Sequence, residues 1–173
     1  MYRRWYDQEP NCTKLLVHLR TMKDDEVRLY CARMINHFGE GVRKEIQHKN
    51  TAGVTSIGLP GLEYLYKYGT QRRRWYDMEQ SIQKAVGILY TLPPEGLVAM
   101  GFKLGDTLGL IAVYDMVCAE INQKATMHDL VNISKKALNE GKEEAETLLA
   151  SIVGEDIYYS LGTQMLGKLK NEI

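Results

Sequence analysis

The feature that most limits what this chain can fold into is a short string that occurs twice. Arg3-Arg4-Trp5-Tyr6-Asp7 returns 70 residues later as Arg73-Arg74-Trp75-Tyr76-Asp77. The agreement continues through Glu9 and Glu79, Lys14 and Lys84, Leu19 and Leu89, and Thr21 and Thr91. Positions 3–22 and 73–92 share 9 of 20 residues, including both tryptophans of the chain. Self-similarity at a fixed period marks one supersecondary unit used more than once, so the two stretches are expected to adopt one conformation.

Spacing says which conformation. After the first string, Cys12, Leu15, Leu16, Leu19 and Met22 recur along one helical face, with Asp7 as the predicted N-cap. Asp24 or Asp25 restarts the chain, and Val27, Cys31, Met34, Ile35, Phe38, Val42 and Ile46 carry a second, longer helix to about Gln47. Gly39 and Gly41 fall inside it. Each costs about 1 kcal/mol relative to alanine unless it admits a close neighbour. In the second copy Asp77 is the predicted N-cap, with Gln80 completing a capping-box pattern. Ile82, Ala85, Val86 and Leu89 match Cys12, Leu15, Leu16 and Leu19. Pro93-Pro94-Glu95 ends that helix and opens the next, in which Leu97, Gly101, Leu104, Leu108 and Gly109 fall opposite Val27, Cys31, Met34, Phe38 and Gly39.

The second long helix reads as the most buried element. Phe102, Leu110, Val113 and Val117 widen its apolar stripe to more than one face and are expected in the core. Gly101, Gly105 and Gly109 form a ridge on which another helix can approach closely, and Gly105→Leu is expected to overpack it. Lys103, Asp106 and Asp115 oppose a membrane span, and Lys103 is expected to pair with Asp106.

The remainder carries no third copy. Thr126 with Asp129 caps a helix bearing Leu130, Ile133 and Ala137, and Gly141 separates it from one bearing Ala145, Leu148, Leu149 and Ile152. After Gly154 a last helix carries Ile157, Leu161, Met165, Leu166 and Leu169. Residues 50–61, with three glycines and a proline, read as a connection, and 62–68 as a short helix. Strand signals are absent. The expected fold is one all-α domain over 1–173, a helical bundle built from a duplicated short-helix/long-helix unit (about 3–49 and 73–122). A connecting segment occupies 50–72, and two or three C-terminal helices fill 123–173.

Chemistry is sparse in the sequence. Cys12, Cys31 and Cys118 have no metal-ligand spacing and point to a reducing, cytoplasmic setting. Glu45 and His48 make a single Glu-x-x-His, where a bundle di-metal site needs two such pairs and further carboxylates. Ser56 lacks a nucleophile-elbow context, and the nearby glycines lack a phosphate-loop lysine. Asp106 and Asp115 stand about 13.5 Å apart along a helix axis, too far to share a reacting bond. No catalytic residue, cofactor or metal ligand is predicted.

Charge and aromatic clustering carry what functional signal there is. Residues 1–75 hold 14 Lys and Arg against 8 Asp and Glu, and residues 76–173 hold the reverse, 8 against 14. Opposite halves can attract each other within a chain or between chains. Arg72, Arg73, Arg74, Trp75 and Tyr76, with their counterparts Arg3, Arg4, Trp5 and Tyr6, are the candidate contact residues. Cations beside rings suit an anionic or stacked partner, while Arg73 and Arg74 can equally brace Asp77. The expected function is non-catalytic: a helical adaptor, regulator or assembly subunit that binds a protein partner or a second copy of itself, without a membrane. Nucleic-acid binding through the Arg/aromatic segments is the alternative. A third reading is an enzyme or small-molecule carrier with a cleft between the repeats.

Overall fold

The computed structural model describes residues 10–49, 75–77 and 79–162, with Gln164 and Gly167. Among these residues every regular element is helical. Helices α1 (Pro10–Thr21) and α2 (Asp25–Lys49) form the first short/long pair. A 3-10 turn, Trp75–Asp77, precedes the second pair, α3 (Gln80–Thr91) and α4 (Pro94–Glu120). Helices α5 (Met127–Asn139) and α6 (Lys142–Val153) follow. The three-residue α7 (Glu155–Ile157) then runs into a π-helical turn, Tyr158–Gly162. The Asp7 cap, the segment 50–72 and the last apolar positions Met165, Leu166 and Leu169 lie outside the described residues.

One predicted cap moves. Asp77 ends the 3-10 turn, and the N-cap of α3 is Glu79, whose carboxylate accepts the Ile82 N–H at 3.1 Å. The turn consumes the Trp-Tyr-Asp string, so the helix starts later than the capping-box pattern implies.

The long helix α4 is the hub, in contact with α1, α2, α5 and α6. Its length follows from a proline-opened first turn and from apolar side chains on most of its circumference. The two short helices cross over: α1 lies on α4, and α3 lies on α2, so each short helix packs on the long helix of the other pair. Glycine permits both crossings. A Cβ on Gly39 would come closer than 3.0 Å to the Cγ2 methyl of Ile88, and one on Gly109 would meet His18 Nε2 at 3.4 Å. Gly39 and Gly109 are 70 residues apart, as are His18 and Ile88. The glycine ridge of α4 does seat α1, but its strict position is Gly101, where a Cβ would lie 2.7 Å from the Cβ of Asn11. At Gly105 the facing atoms are the flexible end of Lys14, beginning at 3.3 Å.

A buried carboxylate fixes the turn between α1 and α2. Asp115, on α4 and 2% exposed, accepts the Lys23 N–H at 2.5 Å and the Asp24 N–H at 3.0 Å. Asp24 in turn caps α2 through the N–H groups of Glu26 (2.8 Å) and Val27 (3.3 Å). From the first turn of α2, Arg28 donates to the carbonyls of Leu19 and Met22, closing the end of α1. Donors and acceptors that helix ends leave open are thus met by three charged side chains.

At the same end of α4, the Tyr114 hydroxyl donates to Asp129 at 2.8 Å and accepts the Thr126 N–H at 3.0 Å, tying α4 to the predicted Thr126 cap of α5. Gly141 and Gly154 take positive φ (114° and 99°) at the starts of α6 and α7, where a side chain would be strained. Tyr158 is buried and donates to Glu146 at 2.7 Å. By length and composition α4 could cross a membrane, yet two-thirds of its most apolar window is buried inside the bundle.

Candidate contact face

The face begins with an exception to the packing of α4. At about 100° per residue, the side chains buried against α1, α2, α5 and α6 leave one arc of the N-terminal half uncovered. Val98, Ala99, Phe102, Lys103, Glu95 and Asp106 occupy it. Phe102 was expected in the core; it is 93% exposed, and Val98 one turn earlier is 53% exposed. The reason is angular, since Phe102 lies across the helix from Met100 and Leu104, which are fully buried. Glu95 and Asp106, seven residues before and four after it, share its side of the helix and are exposed.

Beside this ridge runs a groove of about 570 Å³. Helix α2 supplies Phe38, Gly41 and Lys44, α3 supplies Lys84, and α4 supplies Ala99 and Lys103. Gly41 leaves its wall open, with nothing within 4 Å of where a Cβ would be. Lys103 holds its ammonium 4.6 Å from the centroid of the Phe38 ring, in place of the expected pairing with Asp106. Of the two glutamates on the lining, Glu40 is ion-paired with Arg43, leaving Glu45 against three lysines. The groove therefore has an apolar floor and a net basic rim, and the ridge next to it is apolar with acidic flanks.

A second cavity, about 200 Å³, lies by Lys23, Asp115, Cys118 and Gln123. Its buried titratable groups are Asp115 and Cys118. Both Asp115 oxygens accept backbone N–H groups, and burial raises its pKa against the lowering effect of those two bonds. Burial likewise raises the Cys118 and Cys31 thiols, keeping them from the thiolate form that reacts. His18 is buried with neither ring nitrogen hydrogen-bonded among the described residues. Desolvation, then the charge of Lys14, lower its pKa to about 4 although Asp106 opposes them. No group of three or more His, Cys, Asp and Glu side chains among the described residues is arranged to hold a metal ion, and Glu45 and His48 are exposed.

Of the contact residues named from the sequence, Trp75 and Tyr76 are described. Tyr76 is buried, Trp75 is half-buried against the core, and their rings meet edge to face at 5.4 Å. Both pack against the core just before α3. Arg72, Arg73, Arg74, Arg3, Arg4, Trp5 and Tyr6 lie outside the described residues. Sequence reasoning missed Lys44 and Gly41 of α2 and Lys84 of α3, which share no motif across the two helices. No family model, curated protein or solved structure matches this chain.

Proposed function

We propose that this chain is a non-catalytic helical protein that acts by binding another macromolecule through the ridge and groove of α2, α3 and α4. One observation carries the reading: a phenylalanine 93% exposed, beside a half-exposed valine, on the helix that otherwise forms the core. Burying a side chain of this size contributes about 1.5–3 kcal/mol, and rings in this position are typical anchors of protein interfaces. The reading of the chain as a duplicated unit is supported by the same architecture. The reciprocal crossing of short and long helices, and the Gly39/Ile88 and Gly109/His18 contacts at one offset, are what two copies packed about a pseudo-twofold axis give. Three buried cysteines without a disulfide fit a reducing compartment.

A photo-crosslinking amino acid at position 102, introduced in the organism's own cells, tests the proposal. The expected result is an adduct with one protein identified by mass spectrometry, its yield reduced by Lys84→Glu. Absence of any adduct from a folded, abundant chain would refute the proposal. A second reading, a small-molecule carrier, draws on the groove's place between α2 of the first helix pair and α3 and α4 of the second, and on a volume within the usual ligand-pocket range of about 300–1,000 Å³. Native mass spectrometry of the purified chain would reveal a retained ligand.

A further inference from the structure

Resting on the contact face proposed above, we infer that its occupant is a second copy of this chain, with Phe102 of each protomer seated in the groove of the other. A twofold interface uses one patch on both subunits, and that patch must be complementary to itself. This face meets the condition in shape and in charge. Knob and hole share one exposed arc of α4: Phe102 is the knob, and Ala99 and Lys103, three residues before and one after, line the hole. A twofold axis through the arc brings each knob to the opposite hole.

The charges agree with that placement. Glu95 and Asp106 flank the knob on its own side of α4. Lys44, Lys84 and Lys103 stand on the groove against Glu45, with Glu40 ion-paired to Arg43. Seating the knob carries two carboxylates toward a lining of three ammonium groups and one carboxylate, a net basic groove, twice in the dimer. Phe38 on the floor of the groove offers the entering ring an aromatic partner where Lys103 now lies.

Sedimentation equilibrium with complementing variants tests the inference. Phe102→Asp removes the knob and leaves the groove open. Gly41→Trp fills the groove from a position with open space around it and leaves the knob. Neither change enters the core, and circular dichroism checks that each variant folds. The wild-type chain is expected to dimerise, and each variant to weaken the dimer by about thirty-fold or more, the usual loss at an anchor residue. An equimolar mixture is expected to recover a heterodimer, because the knob of the Gly41→Trp chain still finds the open groove of the Phe102→Asp chain. A monomeric wild type, a dimer indifferent to Phe102→Asp, or a mixture without recovery would each overturn the inference. If the chain is monomeric while a crosslinker at position 102 captures a different protein, the contact face stands and the second copy as its occupant does not.

Discussion

Gly39 and Gly41 lie two residues apart in α2, and the structure predicts opposite outcomes when each becomes alanine. Both sit in a helix interior, where glycine costs about 0.8–1 kcal/mol relative to alanine. At Gly41 nothing occupies the space a Cβ would take, so Gly41→Ala is expected to stabilise by about that amount. At Gly39 the new Cβ would press on the Cγ2 methyl of Ile88, a branched, buried side chain that cannot swing aside, with the Met100 methyl 3.7 Å away. Overpacking of this kind costs about 1–3 kcal/mol. The propensity gain is common to both variants and cancels in their difference, which should therefore be about 1–3 kcal/mol in favour of Gly41→Ala. For a domain of this size each kcal/mol moves Tm by roughly 2–4 °C. Urea unfolding followed by circular dichroism, at an unchanged denaturant slope, gives the comparison. Ile88→Ala removes the facing methyl and should abolish the difference between the two alanines. Equal stabilities for Gly39→Ala and Gly41→Ala in the wild-type background would refute the crossing of α3 on α2 at Gly39.

Two further predictions concern buried polar groups. His18 holds its folded pKa near 4 against 6.5 for an unperturbed imidazole, so between those values the unfolded chain binds the proton and the folded chain does not. The associated stability is present above about pH 6.5 and lost as pH falls toward 4. Wild type is expected to lose about 2 kcal/mol more than His18→Leu between pH 7 and pH 5, and parallel pH profiles would contradict this. Asp115→Ala leaves the part-buried N–H groups of Lys23 and Asp24 without their acceptor, at a cost of about 1–3 kcal/mol. Hydrogen exchange at those two amides should rise most, and unchanged protection there would contradict the role given to the carboxylate.

The helices were legible because their apolar positions repeat at 3.6 residues and their ends carry local signals, as Thr126 with Asp129 and Gly141 show. Local patterning fails where a neighbour distant in sequence decides. Phe102 counts as apolar in any window, and its exposure depends on which arc of α4 the other helices leave uncovered. Asp115 stands out as a carboxylate in an apolar helix, but its acceptors' partners lie 91 and 92 residues away across the turn it holds. The basic rim of the groove is assembled from Lys44, Lys84 and Lys103 on three helices, none within a motif of the others. The repeated Trp-Tyr string was visible at once, and at Trp75 and Tyr76 it packs with the core.

The most direct measurement of the contact face is the protection of a single thiol. Cys12, Cys31 and Cys118 are all buried, so Ala99→Cys adds an accessible thiol at the edge of the groove while leaving Phe102 in place. Its rate of maleimide labelling, compared between dilute purified protein and intact cells, and against a control cysteine in place of the exposed Glu143, reports whether the face is covered. The account predicts slower labelling in cells at position 99 alone. Equal slowing at both positions, or none at either, would contradict it.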